Sequence, residues 1–245
     1  MTFLSPLALA LCLPALAAAA GERLVAVDVG HSLKEGGAVS ARGRSEFSFN
    51  RVFAARLADA LRGKTLAVRE VNFAGDMASL VERPKLASGA DFFISVHHDS
   101  ISEQYLKFWT WGGQRLSYTD VKRGYGLFVS MQNPDLATSL RCASSIGAML
   151  RRAGFEPSMW HGRKHQPADL ENGVWIYDNL VVLHRTTLPA VLFEAGVIKH
   201  RDEELELRDP ERQALMADVV ATGIAGCLSV TEKSVPPSDP PQSAP

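Results

Sequence analysis

The sequence predicts an α/β fold: a single domain built on a twisted, mostly parallel sheet with helices on both faces. Short apolar runs alternate with amphipathic stretches between residues 21 and 231, as in chains that join parallel strands through helices. Several runs are almost continuously apolar, which is typical of strands covered on both faces. With 245 residues, 46% of them hydrophobic and 22% charged, the chain can bury one sizeable core.

The first half of the chain is predicted to hold three strands and one long helix. Residues 24–29 form an apolar run that closes with a glycine, and residues 65–71 and 91–97 form two more. Between the first two runs, residues 46–61 place their apolar side chains on one face at helical spacing, so they are predicted to be an amphipathic helix.

The second half is predicted to hold two helices and two strands. Asn133 and Pro134 fit the N-cap and first position of a helix that ends at Gly154, after two arginines in its last turn. The remaining elements are the strands 174–183 and 188–193 and a last helix from Asp209-Pro210-Glu211 to about residue 227.

Two irregular stretches, residues 101–125 and 156–173, interrupt this alternation and are rich in aromatic residues and histidine. Aromatic loops beside a site often line a ligand cleft. Covering the edge of the sheet would explain them equally well.

Both ends of the chain are predicted to lie outside the domain. Residues 3–20 are apolar and end in Ala18-Ala19-Ala20, so residues 1–20 are expected to be a secretory signal peptide, with an uncleaved anchor as the alternative. The segment is shorter than the roughly 20 residues that span a membrane as a helix. Residues 232–245 are rich in proline and are expected to be a disordered tail. The mature domain, 21–231, would be exported to the periplasm or cell envelope without a transmembrane segment.

The net charge of the chain argues against one class of binding partner. A formal net charge of −1 does not indicate nucleic acid as a partner.

Signal cleavage would leave Cys142 and Cys227, each on a helical pattern among apolar neighbours. Export permits a disulfide between them, but the pattern favours two buried free thiols.

Four ionisable residues stand at the ends of predicted elements. His31 follows the first strand, His97 and Glu194 end two other strands, and Glu46 opens the first long helix. Ligands of open α/β sheets bind beyond the carboxyl ends of the strands. Two histidines and one glutamate form a three-ligand set for a catalytic Zn²⁺ that keeps a water, and the other glutamate can act on that water. Alone, each residue has a structural explanation, such as a turn histidine or a carboxylate at a helix start.

Four segments in this order resemble the zinc-dependent N-acetylmuramoyl-L-alanine amidases of the amidase-3 cell-wall hydrolase family. They are VDVGH (27–31), SEFSFN (45–50), DFFISVH (91–97) and PAVLFEAG (189–196). The resemblance spans roughly residues 24–228. The chain departs from the family pattern at Val29, where proline or alanine is usual, and at His98, where a small residue is common. Neighbouring side chains on a strand face opposite ways, and the pattern favours His97 as the ligand.

The resemblance implies a catalytic site and a substrate. His31, Glu46 and His97 would bind Zn²⁺, and Glu194 would be the catalytic acid–base residue. The implied reaction hydrolyses the amide between N-acetylmuramic acid and the L-alanine of the stem peptide, so peptidoglycan is the expected partner. A protein activator is a further partner that the sequence does not settle. Asp28 would either orient His31 or serve as a buried hydrogen-bonding turn residue.

Two other functions remain open at this point. One is a zinc peptidase or deacetylase that cleaves a different bond, and the other is an inactive peptidoglycan-binding protein. Between Glu46 and His97 the chain has room for one helix, one strand and a short helix, so an inserted inhibitory helix is not expected. We therefore expect an open metal site and a cleft walled by residues 101–125 and 156–173.

Overall fold

The computed structural model describes residues 22–77 and 79–229. The predicted signal peptide and the predicted tail lie outside these residues. The strands are β1 (Leu24–Val29), β2 (Ala67–Val71), β3 (Phe92–Asp99), β4 (Lys107–Trp111), β5 (Gln114–Tyr118), β6 (Gly126–Val129), β7 (Gln166–Asp169), β8 (Val174–Ile176) and β9 (Ala190–Val197). The helices are α1 (Glu46–Gly63), α2 (Glu82–Leu86), α3 (Leu136–Arg152), α4 (Val181–His184), α5 (Glu203–Glu206) and α6 (Pro210–Ser229).

Seven strands form one sheet in the order β2-β1-β3-β9-β6-β8-β7. The pairs β1–β2, β1–β3, β3–β9 and β6–β8 are parallel, whereas β6–β9 and β7–β8 are antiparallel. The prediction of a mostly parallel sheet in an α/β domain is therefore confirmed.

Helices cover both faces of this sheet, as its alternating side chains require. In β3, Phe92 and Ile94 belong to a core that also contains buried residues of α1, α3 and α6. Phe93, on the opposite face, belongs to a second core that contains Val182 and Leu183 of α4. The three long helices thus share one face, and short elements cover the other.

The start of α3 differs from the prediction. Asp135, not Asn133, is the N-cap, and its side chain accepts a hydrogen bond from the backbone N–H of Thr138 at 3.1 Å. Asn133 instead donates from Nδ2 to the carbonyl oxygens of Leu183 and Leu188. The predicted cap is wrong because Asn133 ties the loop before α3 to the segment that leads into β9.

The predicted strand 174–183 is also wrong beyond its first residues, because β8 ends at Ile176 and α4 begins at Val181. Between them Asp178 accepts hydrogen bonds from Ser130 Oγ and from the backbone N–H of Met131. This carboxylate holds the chain in a turn, so the strand cannot continue.

The stretch 101–125 contains a β-hairpin that the sequence analysis did not predict. Strands β4 and β5 pair with each other as a separate two-stranded sheet. The hairpin packs on the loop between β1 and α1, where Trp109 Nε1 donates to the carbonyl oxygen of Ala41 at 2.9 Å. The sheet strand β6, which follows it directly, was missed as well.

The two cysteines that remain in the described domain are bonded. Cys142 of α3 and Cys227 of α6 form a disulfide across 85 residues of sequence. The preference for free thiols is therefore wrong, because the packing of α3 against α6 brings the two apolar positions together. No helix within residues 22–77 and 79–229 is both long and apolar enough to cross a membrane.

Candidate metal centre

Three neighbouring strands bring distant parts of the chain to one edge of the sheet. β1, β3 and β9 are adjacent and parallel, so their carboxyl ends lie together. His31 follows β1, and His97 of β3 stands opposite Glu194 of β9 in the strand register. Glu46 reaches the same edge as the first residue of α1.

Glu46 lies between the two histidines. Its Oε2 is 3.0 Å from His31 Nε2, and its Oε1 is 3.0 Å from His97 Nδ1. One ligand atom from each of the three residues lies within 4.8 Å of the others. Burial favours the neutral form of Glu46, but the hydrogen bonds from the two histidines outweigh it and hold its pKa well below the usual range. The cluster thus offers two imidazole nitrogens and one anionic carboxylate.

The backbone at His31 is held in an uncommon conformation. Its φ of 65° lies in the left-handed region, which few residues other than glycine adopt. The carbonyl oxygen of His31 accepts hydrogen bonds from Asn72 Nδ2 at 2.6 Å and from an Arg83 guanidinium nitrogen at 2.5 Å. Asn72 also binds the carbonyl oxygen of Val29. Together these contacts fix the turn that presents the imidazole.

Asn72 and Arg83 were not identified from the sequence. Asn72 directly follows β2, so its position at a strand end was a usable signal. Arg83 lies in the short helix α2 and is almost fully buried. An arginine in a polar stretch of sequence carries no sign of such burial.

Two glycines leave the space that the cluster occupies. A Cβ atom on Gly30 would lie 2.3 Å from His97 Nε2, so any larger residue would displace the imidazole. Gly37 has a φ of 75°, and a Cβ there would lie 2.6 Å from Glu46 Oε2. Both positions require glycine for close packing around the ligand atoms.

The structure brings His97, and not His98, into the cluster. His98 is buried on the side of α1, where its ring packs on Phe49 and Phe53 and its Nδ1 lies 2.8 Å from Asn50 Oδ1. Burial lowers the pKa of His98 to about 3, so its ring is neutral. His97 therefore belongs to the metal cluster, whereas His98 packs against α1.

Asp28 is a buried hydrogen-bonding residue. Its Oδ2 accepts from Ser95 Oγ at 2.7 Å and lies 3.9 Å from the guanidinium of Arg83. Burial raises its pKa above the usual value, although Arg83 opposes the shift. Of the two roles left open for Asp28, the structure supports that of a buried hydrogen-bonding residue, although Asp28 lies within β1 and not in the turn, and its partner Ser95 belongs to β3.

Glu194 has a different environment from Glu46. Its Oε2 is buried, and within residues 22–77 and 79–229 this atom has no hydrogen-bond partner. Burial raises its pKa well above the usual value, and the carboxylates of Asp99 and Glu46 raise it further. A carboxyl group in this environment holds a proton more readily than a solvated one.

Glu194 lines a cavity of about 560 Å³. Residues of both irregular stretches form its walls, including Tyr105, Lys122, Trp160 and His165, as predicted for the cleft. Of the four predicted site residues only Glu194 lines this cavity. Two acidic residues of the second stretch contact other residues of that region. Asp169 accepts a hydrogen bond from Asn172, and Glu171 forms an ion pair with Arg151.

A charged pair occupies the floor of this cavity. Lys122 Nζ lies 2.5 Å from Asp99 Oδ2 and donates to the carbonyl oxygen of Ser100. His161 Nε2 lies 3.2 Å from the same carboxylate oxygen. Burial and the charge of Lys122 lower the pKa of His161 to about 2, so His161 is neutral and Lys122 is the cation that balances Asp99.

The donor set fits a zinc ion. Two histidines and one glutamate leave a fourth tetrahedral position open, which is the arrangement of catalytic zinc sites. The low pKa of Glu46 keeps its carboxylate deprotonated, as a metal ligand must be.

Comparison with known proteins gives one family and several solved structures. Residues 25–226 match the amidase-3 family, described as N-acetylmuramoyl-L-alanine amidase. No curated protein matches the chain in sequence.

The solved structures that resemble this fold come from several bacteria. The catalytic domain of CwlV, an N-acetylmuramoyl-L-alanine amidase from Bacillus (Paenibacillus) polymyxa var. colistinus, is 25% identical, with a TM-score of 0.65 over 85% of this chain and 99% of that one. An amidase of the same name from Clostridium difficile 630 is 21% identical, with a TM-score of 0.67 over 84% and 97%. Ami1 from Mycobacterium smegmatis is 20% identical, with a TM-score of 0.67 over 84% and 96%.

Proposed function

The chain belongs to the amidase-3 family of N-acetylmuramoyl-L-alanine amidases, and from this premise we propose that it is a zinc-dependent enzyme with Glu194 as its general base. As a member of that family it is a peptidoglycan hydrolase, which cleaves the amide between N-acetylmuramic acid and L-alanine. The observation that carries the proposal is the convergence of His31, Glu46 and His97, whose ligand atoms lie within 4.8 Å of one another.

The three residues would hold the zinc through His31 Nε2, His97 Nδ1 and the Glu46 carboxylate. When bound, the ion would lower the pKa of a water and polarise the scissile carbonyl. Asn72 and Arg83 keep His31 in place through its carbonyl oxygen. Preorganised ligands of this kind lose little freedom when the metal binds.

Glu194 would accept the proton of the attacking water and deliver it to the leaving amine nitrogen. Its position in the register opposite His97 and in the wall of the cavity supports this role. A general base works best when its pKa lies near the operating pH, and burial shifts the pKa of Glu194 upward, in that direction. Proton transfer of this kind typically contributes about 10²–10⁴-fold to the rate.

We also propose that the protein acts outside the cytoplasm. Peptidoglycan lies in the cell envelope, and residues 1–20 have the composition of a secretory signal peptide. On this proposal the mature chain begins after residue 20 and reaches its substrate in the periplasm or the wall.

The decisive experiment uses purified sacculi and the mature protein. We expect release of stem peptides with a new N-terminal L-alanine, identified by mass, and loss of this release after treatment with a chelator. Restoration by added zinc would complete the result. Products cut at another bond would favour a peptidase or deacetylase, and binding to sacculi without any release would favour an inactive wall-binding protein.

A further inference from the structure

The cavity beside Glu194 opens at a basic and aromatic rim. The Arg163 guanidinium carbon lies 4.1 Å from the centroid of the Trp160 ring, and one of its nitrogens donates to the hydroxyl of Tyr105 at 3.1 Å. Lys164 Nζ donates to Ser102 Oγ at 2.8 Å. Uncharged partners thus fix the position of both cations and leave their charges in place.

The charges of the cavity are divided between floor and rim. Its carboxylates belong to Asp99 and Glu194, and Asp99 already balances Lys122. In the part of the chain that the structure describes, neither Arg163 nor Lys164 has a carboxylate within ion-pair distance. Two exposed cations that lack an acidic partner therefore face a cavity large enough for several peptide units.

The substrate carries its negative charge on one side of the scissile bond. In N-acetylmuramic acid the only carboxyl group is consumed in the amide that the enzyme cleaves. Every carboxylate of the muramoyl-peptide unit therefore lies on the peptide, whose terminus supplies at least one.

We propose that Arg163 and Lys164 form a subsite that binds a carboxylate of the stem peptide and so directs the peptide toward the rim of the cavity. This inference rests on the proposed function, because it takes the muramoyl amide to lie beside Glu194. The subsite sets which half of the substrate occupies the cavity, and it discriminates against peptides whose carboxylates are amidated. Charge-assisted hydrogen bonds give such recognition both strength and direction.

The test compares two soluble muramoyl-peptides, one with free carboxylates and one with amidated carboxylates. On the free acid, the double variant R163Q/K164Q should raise KM about 10- to 150-fold, the usual range for losing hydrogen bonds to a charged group, and leave kcat within about twofold. On the amidated substrate, the wild type should show a similarly raised KM, and the double variant should add little to it.

The matched control is R115Q. Arg115 is also exposed and also lies over an aromatic ring, with its guanidinium carbon 4.4 Å from the centroid of Phe108, but it does not line the cavity. It should behave as the wild type on both substrates. An unchanged KM in R163Q/K164Q, or an equal increase on both substrates, would overturn the subsite.

A binding measurement separates this subsite from the proposed function. The probe is the free stem peptide that begins with L-alanine, titrated by calorimetry into wild type and R163Q/K164Q, with its amidated form as the second ligand. If the protein cleaves no muramoyl amide but binds the peptide through these cations, the proposed function fails and the subsite stands. If it cleaves the amide and binding ignores the cations, the subsite fails and the function stands.

Discussion

At the scale of single residues, two glutamates of one site acquire opposite character from their surroundings. Glu46 has a histidine nitrogen 3.0 Å from each of its carboxylate oxygens, and its pKa falls. Glu194 is buried near other carboxylates, and its pKa rises. The first is suited to bind a cation and the second to exchange a proton.

Replacement of Glu194 by glutamine tests this division. The amide keeps the size of the side chain but cannot accept a proton, so turnover on sacculi should fall about 10²–10⁴-fold. Zinc content and melting temperature should stay near wild type. The control Glu46→Gln should lower zinc content instead, because a neutral amide is a poor ligand. Full turnover in zinc-loaded Glu194→Gln would refute the general-base role.

The adjacent histidines offer a second test at this scale. His97→Ala should lose most of its metal, since it removes a ligand atom. His98→Ala should keep its metal but lose about 2–4 kcal/mol of unfolding free energy, because it empties a packed site and leaves Asn50 Oδ1 without its partner. Elemental analysis and denaturant unfolding of both variants give the answer. Metal loss in His98→Ala alone would move the ligand to that residue.

At the scale of elements, the sequence prediction was accurate where a long apolar pattern marks the element. β1 has the predicted bounds, and α1 and β3 agree within two residues, because each forms a long apolar run or stripe. The hairpin β4–β5 has exposed residues on both of its sides and so lacks such a pattern. The strand β6 has only four residues, too few for a period to be recognised.

The candidate site was predictable only in part, for the same physical reason. Side chains at strand ends, such as His31 and Glu194, carry a signal because an ionisable group follows an apolar run. Asn72 and Arg83, which hold His31 in place, carry no such signal. They donate to the carbonyl oxygen of His31 from more than forty positions away in sequence. Long-range backbone contacts leave no local pattern.

The turn that ends β1 provides a prediction at the element scale. In Gly30→Ala the new methyl group would collide with the His97 ring, so zinc affinity should fall about 10–100-fold, as when the support of a ligand is lost. The control is Gly63→Ala at the end of α1, where a Cβ meets nothing within 4 Å, and it should keep wild-type affinity. Competition with a chromogenic chelator measures both. Equal affinities would show that the imidazole can move aside without cost.

At the scale of the whole molecule, the disulfide between α3 and α6 joins two long helices on one face of the sheet. The double variant Cys142→Ala/Cys227→Ala should lose about 2–5 kcal/mol of unfolding free energy, because the unfolded chain regains the freedom of an 85-residue loop. Activity per folded molecule should not change, since the bond lies away from the strand ends that carry the site. Denaturant titration of the wild type and the double variant, and of the wild type with and without a reductant, measures the loss. Equal unfolding midpoints for the wild type and the double variant would contradict it.

The strand order determines when the central sheet can form during folding. β9, near the end of the domain, lies between β3 and β6 in the middle of the sheet. A nascent or translocating chain that has not yet supplied residues 190–197 has two separate half-sheets, and it lacks Glu194. On the proposal that Glu194 is the general base, such a chain has no amidase activity until residues 190–197 join the sheet. Fragments that stop before β9 would expose the apolar edges of β3 and β6, which makes them targets for proteases and prone to aggregate.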